Sequence, residues 1–82
     1  MKNNDRLTDI IAESLNAMKR DSHLTQKEIA DRIGVERSTV CYYLKGQRKI
    51  YIDTFMKFCK ACGKDPYKEL DKIMEKYNKW AI

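Results

Sequence analysis

An all-α fold of five short helices is what this sequence predicts, on three observations. Apolar residues recur at three- and four-residue spacing in five separate segments. No segment shows the strict alternation of a half-buried strand. Breakers are scarce, three glycines and one proline in 82 residues, and they fall at the joints between segments. A chain of this length builds one modest core, so residues 1–82 are expected to form a single domain.

Leu7, Ile10, Ile11, Leu15 and Met18 set a first helix from about Asp5 to Arg20. "DSHL" breaks the pattern. Thr25 then suits an N-cap, and Glu28 three residues on completes a capping box. Ile29, Ala30 and Ile33 make the inner face of a short second helix that Gly34 closes. Val40, Tyr43 and Leu44 do the same for a third, ending at Gly46. "QRKIYI" is a loop into a fourth helix with the stripe Ile52, Phe55, Met56, Phe58, Cys59 and Cys62, stopped by Gly63. Asp65 and Pro66 are a cap and first-turn pair for a fifth helix, Pro66 to about Lys79.

Between the second and third helices a lone glycine costs about 1 kcal/mol if it lies inside a helix. It costs little in a tight turn with positive φ, where the missing Cβ removes the clash. Ala30, four residues earlier, is small where two steeply crossing helices must approach closely. The stretch of residues 25–46 therefore reads as two helices joined by a tight turn, with Val35 tucked back into the core.

Composition narrows the function. A hydrophobic content of 43% with 35% charged residues fits a globular domain and not a disordered chain. No apolar run approaches the ~20 residues that span a bilayer, and "MKNNDR" is no signal peptide, so a cytoplasmic protein with no membrane association is expected. Three cysteines, an odd number, fit a reducing compartment. The net charge is +5, and the stretch from Arg37 to Lys60 carries all of it, with six basic residues against Asp53 alone. Everywhere else, eleven basic residues balance eleven acidic ones. A charge excess confined to one stretch points to a polyanion-binding face.

"LTQKEIADRIGVERSTVCYYLKGQRK" resembles the helix-turn-helix of the Cro and cI-type phage repressors, also called the XRE family, in the order and spacing of Gln26, Ala30, Gly34, Val40 and Tyr43. "DTFMKFCKACGKDPYKEL" is similar to that family's fourth helix and the start of its fifth, so the resemblance covers roughly Leu7 to Leu70. It implies a lambda-repressor-like domain that binds double-stranded DNA and regulates transcription, most simply as a repressor on a palindromic operator. Three positions depart from the family's pattern. Tyr43 stands where a branched aliphatic residue is usual, Glu36 where a small hydroxyl residue commonly caps helix three, and Ile50 where proline is frequent.

In such a fold the start of helix three enters the major groove while helix two crosses the backbone. The side chains not needed by the core are Glu36, Arg37, Ser38, Cys41 and Tyr42. The resemblance puts Arg37, Ser38 and Tyr42 on positions that usually touch bases. The Arg37 fork matches guanine O6 and N7, Ser38 discriminates less, and Tyr42 offers a hydroxyl and a flat ring for a thymine methyl. Glu36 either accepts from cytosine N4 or repels phosphates. Gln26 resembles the family's phosphate-binding glutamine beside the free N–H groups of helix two. Lys45, Gln47, Arg48 and Lys49 form a basic loop placed to hold phosphates.

"CKAC" at Cys59–Cys62 has CxxC spacing, but a zinc site needs four ligands and only Cys41 and His23 remain; both cysteines also lie on the stripe of helix four. No catalytic constellation, phosphate-binding glycine loop, cofactor motif or small-molecule site is evident, which favours a non-enzyme. Helix five keeps a different class open. Tyr67, Leu70, Ile73, Met74, Tyr77 and Trp80 span roughly 140°, wider than the ~100° stripe one core needs. Ile73, Tyr77 and Trp80 are therefore expected to form a homodimer or partner face. The alternative to a DNA-binding regulator is an antitoxin-like module whose main target is a partner protein.

Overall fold

The computed structural model describes residues 6–81, and among these it contains five α-helices and no strand. They are α1 (Arg6–Ser22), α2 (Gln26–Ile33), α3 (Arg37–Leu44), α4 (Ile52–Ala61) and α5 (Pro66–Ala81). The start expected at Asp5 lies outside the described residues. Helix α1 runs two residues past Arg20 because Ser22 closes it: its hydroxyl donates to the Lys19 carbonyl at 2.8 Å and accepts the Leu24 N–H at 3.2 Å.

Helix α2 packs on α3 and α4, while α1 packs on α3, α4 and α5. Ile10, Leu15 and Met18 from α1 meet Ile29, Ala30 and Ile33 from α2 and Val40, Tyr43 and Leu44 from α3. Phe55, Phe58, Cys59 and Cys62 from α4 and its end, with Ile73 from α5, complete the core. Leu7 and Ile11 lie at its edge. Tyr43 fits as a buried ring, bordered by Leu7, Thr8, Ile11, Leu15 and Ile50 around a surface pocket of about 240 Å³.

Two expectations are corrected, one for α4 and one for α5. Ile52 and Met56 are exposed, because the face of α4 turned to the core is set by Phe55, Phe58, Cys59 and Cys62, and at 100° per residue Ile52 and Met56 are rotated about 70° and 110° from its centre. Ile73 is only 3% exposed. It belongs to the monomer's core between α5 and α1 and is removed from the exposed face assigned to it. The thiols are packing groups: burial pushes Cys59 up to about 12, Glu69 adding to the effect, and burial likewise raises Cys62.

Candidate nucleic-acid interface

Local sequence fixes the two-helix unit. Thr25 adopts extended backbone and its hydroxyl accepts the Glu28 N–H at 3.1 Å, while the Glu28 carboxylate accepts the Thr25 N–H at 2.9 Å. This reciprocal box starts α2 beside Gln26 and satisfies one first-turn donor; helical geometry leaves others free there. The Thr25 backbone N–H, and its hydroxyl second, hold the Glu28 carboxyl below its ordinary value. At the other end Gly34 has φ 76, and the Gly34 and Val35 N–H groups both donate to Ala30, at 2.9 and 3.0 Å. The expected turn is therefore formed.

Helix α3 starts from Glu36, whose side chain makes no capping bond. At 100° per residue, Arg37, Cys41, Lys45, Ser38 and Tyr42 occupy an arc of about 140° on the side away from Val40, Tyr43 and Leu44. Glu36, Arg37, Ser38, Tyr42 and Lys45 are exposed and Cys41 is half-buried, so the base-reading candidates share one solvent face. Gln26 is half-buried at the start of α2.

The end of α3 folds back on itself. Gly46 takes φ 70, its N–H donates to Tyr43, and the Gln47 N–H donates to Tyr42 at 3.0 Å. A Cβ at residue 46 would meet Asp9 Oδ1 at 3.3 Å, so glycine meets both a conformational and a spatial need. The returning chain carries Gln47, Arg48 and Lys49, all exposed, next to Lys45. Arg48 lies over the Tyr42 ring, its guanidinium carbon 5.5 Å from the centroid. The structure thus joins one residue expected to read bases with one expected to hold phosphate.

Sequence reasoning missed Asn16. Its amide donates to Ala12 at 2.8 Å and to the Leu44 carbonyl at 2.7 Å, pinning the last turn of α3 to α1. A lone asparagine on a helix surface carries no signal of this role, since its partner is a backbone group 28 residues away. Away from this face, Tyr67, Met74 and Trp80 on α5 remain exposed, and Trp80 lies 5.8 Å from the half-buried Tyr77 ring.

The geometry has counterparts. The sequence model of the helix-turn-helix family matches residues 16–68. An XRE-family-like protein from Pseudomonas syringae pv. tomato str. DC3000 is 32% identical, over 88% of this chain and 87% of that one, with a TM-score of 0.77. The restriction-modification controller protein C.AhdI from Aeromonas hydrophila superposes with a TM-score of 0.69 at 24% identity, over 80% of this chain and 99% of that one. A point mutant of the controller protein C.Esp1396I gives 0.79 at 13% identity, over 96% and 98%. The two controller proteins show a shared fold alone. No curated protein matches.

Proposed function

The chain belongs to the XRE-type helix-turn-helix family of DNA-binding transcription regulators, and we propose that it is a repressor that reads a palindromic operator as a homodimer. Helix α3 lies in the major groove, where Arg37, Ser38 and Tyr42 contact bases and Glu36 flanks them. Gln26 and the Lys45, Gln47, Arg48 and Lys49 loop grip the phosphates on either side. The observation that carries the reading is the exposed arc of α3, which holds Arg37, Ser38, Tyr42 and Lys45 and no acid. Its position directly before the basic loop supports it further.

Tyr77 and Trp80 on α5 supply the dimer contact, with Tyr67 and Met74 available beside them. Two copies related by a two-fold axis then meet half-sites about 10 bp apart, one turn of DNA. A dimer seated there represses by excluding other proteins from the same duplex. The two controller proteins that share the fold are consistent with a regulator of this kind.

Selection of bound duplexes from a random pool tests the proposal, with the selected site then titrated against single-base variants. Expected is a palindrome with that spacing, bound by a species of twice the monomer mass in sedimentation. Recovery of unrelated sequences, or monomers both free and on DNA, overturns it. The exposed rings of Tyr67 and Trp80 favour one second reading, a module directed at a partner protein. A gel shift with competitor DNA, run beside a pull-down of partner proteins, separates the two.

A further inference from the structure

We infer that Arg48 is a positioning residue for base reading by Tyr42, so that loop and recognition helix act as one unit. This rests on the DNA-reading role proposed above. Tyr42 stands on the last turn of α3 with 44% of its surface exposed, too open to be held by core packing. An aromatic side chain in that setting rotates among several staggered positions.

What limits it is the loop. The Gly46 turn and the bond from the Gln47 N–H to the Tyr42 carbonyl bring residue 48 back over the side chain six positions earlier. There the Arg48 guanidinium covers one ring face, 5.5 Å from the centroid. A planar cation is attracted to the negative face of a phenol ring, which leaves Tyr42 its other face and its hydroxyl for a base.

Arginine suits this place better than lysine. Stacking uses the flat face of the guanidinium and leaves its N–H edge for a phosphate oxygen. One side chain can thus grip the backbone and orient a reading residue together. Its sequence signature is absent, because an arginine in a basic loop looks the same whether or not a ring lies beneath it.

Two measurements test the inference. In the free protein, NMR should show the Arg48 side-chain protons shifted upfield by the Tyr42 ring, with the shift lost in Tyr42→Leu. Ordinary shifts in the wild type overturn the inference whatever the DNA result. On DNA, the ratio of Kd values for the selected duplex and each single-base-pair variant is compared among wild type, Arg48→Ala, Arg48→Lys, Tyr42→Leu and the Arg48→Ala, Tyr42→Leu double variant.

Arg48→Ala should weaken all binding through the lost phosphate contact. In addition it should lower discrimination about two- to fivefold, the range for an exposed cation–ring pair, and only at the base pairs that Tyr42→Leu affects. In the Tyr42→Leu background it should leave discrimination unchanged. Arg48→Lys should recover more of the overall affinity than of the discrimination. Uniform weakening by Arg48→Ala reduces Arg48 to a phosphate contact and overturns the inference, as does unchanged base preference in Tyr42→Leu. A wild-type protein with no sequence preference instead defeats the proposed function itself, before any variant is compared. Arg48 is exposed, and thermal melts by circular dichroism confirm that each variant is folded.

Discussion

Replacing Gly34 by alanine separates two reasons a turn can require glycine. The residue has φ 76, yet a Cβ built on it meets nothing within 4 Å. Any cost is therefore conformational, not steric. Holding an L-residue in the left-handed region costs about 1–2 kcal/mol. Alanine gives back about 0.4–1 kcal/mol by narrowing the unfolded ensemble. The net loss should be about 1 kcal/mol, a fall in Tm of about 4–8 °C for a domain of this size. Gly34→Asn should lose less, since asparagine tolerates this conformation, and Gly34→Val more, since a β-branched residue does not. Urea unfolding followed by circular dichroism gives the order, with midpoints shifting and slopes unchanged. Equal midpoints for Gly34→Ala, Gly34→Asn and Gly34→Val would mean that residue 34 does not hold positive φ in solution. A loss above about 4 kcal/mol would mean that its methyl group meets packed atoms after all.

Arg37→Ala should cost about 1–3 kcal/mol on the selected operator and less on sites lacking its guanine, whereas Lys49→Ala should weaken every sequence alike; a titration of each variant against each base-pair change reads the difference. The Glu28 carboxyl is held below its ordinary value of 4.5. The capping box therefore contributes stability above pH 4.5 that is lost as pH falls through the lowered value, and Glu28→Gln, which keeps the box, should flatten that part of a stability-against-pH curve. With Cys59 raised to about 12 and both Cys59 and Cys62 buried, a thiol reagent at about pH 8, just below the ~8.5 of a free thiol, should modify Cys41 first. DNA binding should fall with that first thiol, while Cys59 and Cys62 react only at the rate of unfolding.

Much of the fold was legible because its punctuation is local. Thr25 with Glu28, Gly34, and Asp65 before Pro66 each act within a few residues, and each forms the cap or turn its spacing implies. The Asp65 carboxylate, for instance, accepts the Tyr67 N–H at 3.0 Å. The face of α3 was legible for the same reason, since three buried positions in an eight-residue helix leave Arg37, Ser38 and Tyr42 to solvent. What could not be read depends on partners distant in sequence. Ile52 and Met56 keep helical spacing with Phe55 but are rotated off the face that the neighbouring helices cover. On α5 a single apolar stripe divides into Ile73, which α1 buries, and Trp80, which is left outside. Arg48 and Asn16 gain their positions from a ring and a carbonyl that no spacing rule reports.

Helix α3 is poorly equipped to stand alone, and the reason is legible residue by residue. Helices α2 and α3 are both eight residues long, below the ~12–15 that hold in water unaided. Helix α2 has a complete capping box; α3 has Glu36 at its cap with no side-chain bond, no acid in its first turn, and Arg37 there instead. A cation at a helix N-terminus opposes the helix dipole by about 0.3–1 kcal/mol. The same cation is favoured once a DNA groove lines that end with acceptors and phosphates. Helix α3 is held from outside, by Val40, Tyr43 and Leu44 in the core, by Asn16 on the Leu44 carbonyl and by the Gly46 turn. Arg37→Ala should accordingly stabilise the free domain by a few tenths of a kcal/mol to about 1 kcal/mol while weakening operator binding. Glu36→Ser should add about 1 kcal/mol from a new cap bond, less the few tenths that the Glu36 charge contributes at that end. Urea midpoints of the DNA-free proteins, set beside their operator affinities, measure both quantities. Should Arg37→Ala destabilise the free domain, Arg37 supports the fold, and its place at the start of α3 is no sign of a DNA contact.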